Sequence, residues 1–116
     1  MSGIFRIDPD TELQPDPANP GEFYANNFVG DDPGLLAGVW SADAQKTVID
    51  AYPVDEVCVV LAGVITLTAA DGSVSEFRAG DVFAIRKGTA LTWANSPDVR
   101  KIYVILDHQG GEATAG

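Results

Sequence analysis

Apolar positions in this chain come in short runs rich in β-branched and aromatic residues, and they do not recur at helical spacing. The runs predict strands at 23–29, 35–40, 46–52, 57–61, 64–69, 74–77, 82–85, 91–94 and 99–106, with a shorter edge strand at 4–7. Between them lies turn chemistry: Asp32-Pro33-Gly34, Ala62-Gly63, Asp71-Gly72, Ala79-Gly80-Asp81, Lys87-Gly88, and Asn95 to Pro97. Asp71-Gly72, set between two alternating runs, is the clearest hairpin signal. Pro9, Pro15, Pro17 and Pro20 make residues 1–22 an extended arm, residues 23–107 hold the strands, and 108–116 read as a flexible tail. Short, evenly spaced strands with no helical stretch between them predict an all-β sandwich or barrel.

A length of 116 residues gives room for one core, and 46% hydrophobic residues are enough to fill it. The net charge of −10 excludes a phosphate-tracking role, since nucleic-acid affinity comes from Lys and Arg. Most of that charge lies before Leu61, where eleven acidic residues face only Arg6 and Lys46, and a solvated acidic face accounts for it. Cys58 is the single cysteine, so neither an internal disulfide nor a cysteine-rich zinc site is expected. No apolar run is long enough to cross a membrane, and Met1 to Asp10 lack the regions of a signal peptide, which predicts a cytoplasmic protein.

Two motifs narrow the choice of fold. In Asp50-Ala51-Tyr52-Pro53-Val54-Asp55-Glu56 through Gly63, the glutamate and the glycine seven positions on match the first cupin motif. In Gly80-Asp81-Val82 through Asn95, Gly80, Gly88 and Asn95 match the glycines and asparagine of the second. The chain therefore resembles a cupin, which implies a double-stranded β-helix (jelly-roll) barrel with a pocket. Gly38-Val39-Trp40, Asp55 to Cys58, Thr92-Trp93 and Val99 to Ile105 resemble one branch of small cupins. That branch holds the ureidoglycine-aminohydrolase-type cupin domains and the ethanolamine-utilisation-like proteins, and the resemblance implies a nitrogen-containing substrate.

The departures bear on chemistry. Asp50 and Tyr52 stand where the first motif has histidines, Leu91 stands at the histidine of the second, and the only histidine, His108, lies outside both. A cupin metal is typically held by three imidazoles and a carboxylate, so we expect neither a resident metal nor any other cofactor. The family's ligand geometry implies that Asp50, Tyr52 and Glu56 surround one point. In an enzyme, Glu56 would be the catalytic acid or base, with its pKa raised by desolvation, and Tyr52 would orient the substrate. Asp50, Leu91, Trp93, Lys101 and Tyr103 complete the expected ligand site.

Each residue has a plainer reading beside it. Asp50 could end a strand, and Trp93 could be an ordinary core aromatic. Lys101 could face solvent rather than pair with Glu56, although the resemblance favours the inward reading. Trp40 reads as core, Cys58 as a small buried apolar residue, and Arg86 and Lys87 as solvated rim charges. The expected partners are a small-molecule ligand, an amine or ureido compound in preference to a dicarboxylate, and a second copy of the chain, with the arm covering a neighbour's sheet edge. Three functions remain open: metal-independent enzyme, non-catalytic metabolite sensor, and metal-dependent aminohydrolase.

Overall fold

The structure, a computed structural model, describes residues 3–31 and 34–107; His108, the tail that follows it, and Asp32 and Pro33 of one predicted turn lie outside the described residues. Its strands are β1 Gln14–Pro15, β2 Glu22–Val29, β3 Leu35–Ala42, β4 Gln45–Ile49, β5 Asp55–Ala62, β6 Val64–Ala69, β7 Val74–Arg78, β8 Val82–Ile85, β9 Leu91–Asn95 and β10 Arg100–Leu106. They form two antiparallel sheets, ordered β1-β2-β3-β10-β5-β8 and β4-β9-β6-β7. This is the all-β cupin jelly roll that the motifs imply. Each predicted strand from 23 onward has a counterpart, shifted at the ends by up to three residues.

The period of two sets what faces inward. Along β5, Glu56, Cys58 and Val60 are buried while Val57 is exposed. Along β10, Lys101 and Tyr103 are buried opposite Val60 and Cys58. Lys101 stays in the same register as Tyr103, and a shift between Lys101 and Arg100 leaves Leu61 as an extra residue in β5, a bulge just past the inward set. Cys58, Val60, Ile65, Phe83, Ile85, Leu91, Trp93 and Val99 meet between the sheets as the core. At Gly38 a side chain would run into the Ala25 carbonyl and come within 2.7 Å of the Tyr103 hydroxyl, so glycine is what lets β2, β3 and Tyr103 close together.

The N-terminal arm lies along its own barrel. Gln14 and Pro15 pair with Tyr24 and Phe23 at the sheet edge, and Phe5 packs edge-on against Phe28 at 5.1 Å. The Arg100 guanidinium donates to the carbonyls of Pro9 and Thr11, each at 2.7 Å. The strand expected at 4–7 does not form. The arm is held there by a ring contact and side-chain hydrogen bonds, and among its described residues ladder pairing falls at Gln14–Pro15.

Candidate functional site

The cupin motifs build the floor of a cavity of about 620 Å³, which opens among Glu22, Tyr24, Asn26, Gln45 and Thr47. β5 contributes Glu56, with the fully buried Cys58 behind it, β10 Lys101 and Tyr103, β3 Trp40 and β9 Trp93. Tyr52 comes from the loop after β4, which is pinned to the turn carrying the second motif's glycine. There the Tyr52 N–H donates to Thr89 O, and the Gly88 N–H donates to Tyr52 O, both at 2.8 Å. Gly88 has φ +90°, a conformation that side chains disfavour. The second motif's asparagine fixes Trp93: the indole N–H donates to Asn95 Oδ1 at 3.1 Å, while the Asn95 amide donates to Asp43 O and Ser96 O.

Glu56 is the hub. Its Oε1 accepts from the Tyr52 hydroxyl at 2.7 Å, and its Oε2 accepts from Lys101 Nζ at 2.7 Å and from the Cys58 thiol at 3.3 Å. Lys101 starts four residues along the neighbouring strand, opposite Val60, and its stem runs past Cys58, where Nζ also lies 3.3 Å from Sγ. The ammonium sits 4.8 Å from the Trp40 ring centre and 4.7 Å from that of Trp93, and the two indoles meet edge to face at 5.6 Å. The floor thus pairs one anion with one cation, both buried, with aromatic faces around the cation.

The pKa directions follow from this geometry. Burial pushes Glu56 up, but the charge of Lys101 and the hydrogen bonds from Lys101, Tyr52 and Cys58 outweigh it, so its carboxyl sits below the usual range. Burial pulls Lys101 down, and Glu56 more than restores it, leaving the ammonium above its ordinary value. Burial, then the Glu56 charge, raises Tyr52; burial raises Cys58 to about 12 in spite of Lys101. Burial also raises Tyr103, whose hydroxyl lies against Asn26 Oδ1 and the Ala25 carbonyl.

Several expectations need correction. The Glu56 pKa moves down, because Lys101 faces inward and pairs with it. Asp50 is exposed and does not line this cavity: β4 ends at Ile49, and Lys46 and Val48 share its outward face. Tyr52 turns inward because the chain bends at Asp50-Ala51, so the two do not share a face. Leu91 is buried in the core and borders a second hollow of about 220 Å³, with Phe83, Ile85 and Arg86. Tyr52, Glu56, Trp93, Lys101 and Tyr103 do line the larger cavity, and so does Trp40, which sequence reasoning left in the core.

Sequence reasoning also missed Glu22 and Gln45. Glu22 Oε1 accepts from the Trp40 indole N–H at 3.0 Å, and Oε2 lies 3.5 Å from the Gln45 amide nitrogen. Neither residue belongs to a motif; only the inward parity of Glu22 with Tyr24 on β2 could have pointed to it.

The residues present do not fit a cupin's transition metal. Both Glu56 oxygens are engaged by donors, one of them an ammonium, and leucine cannot ligate. Among the described residues no three His, Cys, Asp or Glu side chains converge on one point.

The family model of the EutQ-like cupin domain matches residues 31–103. Among solved structures, the EutQ protein of Clostridium difficile is 20% identical, covers 91% of this chain and 95% of its own, and has a TM-score of 0.68. KdgF from a Halomonas species is 19% identical, covers 91% of this chain and 96% of its own, and also scores 0.68. A Pseudomonas syringae protein of unknown function, of the DUF861 family, reaches a TM-score of 0.76 at 23% identity over 85% of this chain; the match spans only 46% of that protein's length. At such identities the likeness establishes the fold. No curated protein matches.

Proposed function

Because the chain belongs to the EutQ-like cupin family, we propose that its cavity binds a small polar, nitrogen-containing metabolite without a transition metal, and that it recognises this ligand rather than transforming it. A space of about 620 Å³ suits a small organic molecule. The observation that carries the reading is the state of the floor. Glu56 is held below the carboxylate range, Lys101 above its own, and Tyr52 and Cys58 well above neutrality. A general acid or base works best with a pKa near the working pH, and none of the four is so placed. What the floor offers instead is a fixed array of dipoles and charges beside two indole faces.

The protein's two tryptophans, Trp40 and Trp93, both line the cavity, so binding should be read in intrinsic fluorescence. Titration with small amines, amidines and ureido acids should give saturable quenching by at least one of them. The compound that binds should stay chemically unchanged by NMR over hours. Consumption of that compound, or saturation that appears only when a divalent metal is added, would overturn the proposal.

We also propose a homodimer. Val57, Val82, Val104 and Leu106 remain 43%, 60%, 40% and 40% exposed. Val57 pairs with Val104, and Val59 with both Ile102 and Val82, so these residues adjoin on the outer face of three neighbouring strands. An apolar patch of this kind, flanked by Asp55 and Arg100, supports self-association in a chain whose remaining surface is strongly acidic.

A further inference from the structure

We infer that Glu22 receives the positive charge of the ligand, so that the cavity takes an ammonium- or amidinium-bearing molecule with its cationic end at the mouth and its apolar body along Trp40. This rests on the binding reading above and adds the ligand's charge and its orientation.

Among the described residues Lys101 is the only lysine or arginine on the lining, and it lies 2.7 Å from Glu56 with both indoles around it. Glu56 and Lys101 therefore cancel at the floor and leave no net charge there for a ligand to meet. Glu22 differs. It is half-buried, it takes part in no ion pair among the described residues, and its donors, the Trp40 indole N–H and the Gln45 amide, are both neutral. Those two contacts fix the carboxylate's orientation while leaving lone pairs on each oxygen for further donors. A charge on the lining that is held in place but not neutralised is what a cationic ligand group would complete.

The floor decides the ligand's direction. A second cation beside the Trp40 and Trp93 faces would sit next to the Lys101 ammonium, so repulsion sends the ligand's positive group to the Glu22 end. A carboxylate ligand has the opposite difficulty. It would meet Glu22 at the mouth with Asp16 beyond it, and it could reach Lys101 only by displacing Glu56.

The test uses three probes of matched shape, n-butylammonium, n-butanol and butyrate, titrated against the wild type, Glu22→Gln and Asp50→Asn by fluorescence and calorimetry. The glutamine keeps an oxygen for the Trp40 indole, so the variant should fold, which its melting temperature checks. In the wild type, butylammonium should bind more tightly than butanol, and butyrate least. Glu22→Gln should weaken butylammonium by about ten- to a hundredfold, the range for losing a hydrogen bond to a charged group, and leave butanol within about twofold. Asp50→Asn should change butylammonium by less than about threefold, because that exposed charge lies off the cavity and is screened. Equal loss in both variants would mean that a diffuse acidic field does the work, and the assignment to Glu22 would fall. Butyrate binding best, or butylammonium indifferent to Glu22→Gln, would also overturn it while leaving a binding cavity intact. If none of the three saturates, the binding reading falls with it.

Discussion

Replacing Lys101 by methionine keeps most of the side chain's volume and removes its charge. Glu56, only 6% exposed, would then keep the Tyr52 and Cys58 donors and lose its counter-ion. Breaking a buried pair from one side costs about 3–5 kcal/mol, because a charge is left uncompensated. At about 4 °C per kcal/mol for a chain of this length, the melting temperature at pH 7 should fall by roughly 12–20 °C.

The pH dependence carries the sharper signature. In the wild type the folded Glu56 pKa is depressed, so its contribution is present above the ordinary carboxylate pKa and is lost as pH falls through the lower folded value. Lys101 is raised, so its contribution holds below the ordinary lysine pKa and is lost only as pH rises through the higher folded value. Between those limits the pair adds no slope. Without Lys101, burial becomes the dominant influence and the Glu56 pKa should rise above its unfolded value. The variant should therefore become less stable as pH rises from about 5 to 8, whereas the wild type gains no such slope from this pair. Urea unfolding at several pH values would measure both effects, and adding Glu56→Gln to Lys101→Met should restore much of the loss. A single variant costing less than about 1 kcal/mol, with the wild-type pH profile, would refute the view that these charges neutralise each other.

Two other outcomes can be checked directly. Mn, Fe, Ni or Zn ions at about a hundred micromolar should leave the melting temperature unchanged, whereas an ion bound a hundredfold more tightly than its concentration would add about 2.7 kcal/mol. Such a gain, lost in Glu56→Gln, would mean that the Lys101 ammonium gives way to metal. Sedimentation at tens of micromolar should show a dimer, and Val104→Glu should make it monomeric with little change in the barrel; a monomeric wild type would remove the proposal.

The parts of this protein that were legible in the sequence are those governed by short-range periodicity and fixed motif spacing. Cys58 and Val60 follow Glu56 inward at intervals of two, and Val64–Ala69 and Val82–Ile85 fall where their apolar runs place them. Gly88 and Asn95 proved to be positioning devices, one for the Tyr52 loop and one for the Trp93 ring. Asp50 failed because parity cannot be carried across a bend. The chain turns at Asp50-Ala51, and transferring a ligand position by spacing alone assumes a backbone path that this loop does not follow. Lys101 was ambiguous because alternation shows only that it shares a face with Tyr103; which face turns inward is set by pairing opposite Val60 and Cys58 on β5, a contact that no local pattern announces. Glu22 was invisible: its role arises from a contact with Trp40, eighteen positions away, which forms only once β2 and β3 have paired.

A floor built on an internal lysine selects differently from one built on a metal ion. A divalent ion can draw anionic or carbonyl groups toward the floor and offers open coordination positions to the ligand. An ammonium held between a carboxylate, a thiol and two indole faces has most of its directions taken, and its charge is cancelled at 2.7 Å. Selectivity must then come from groups nearer the mouth that the floor leaves unmatched. For this reason the proposed recognition centres on Glu22 and Trp40, and a variant at Glu56 should be read first as a change in stability and only then as a change in affinity.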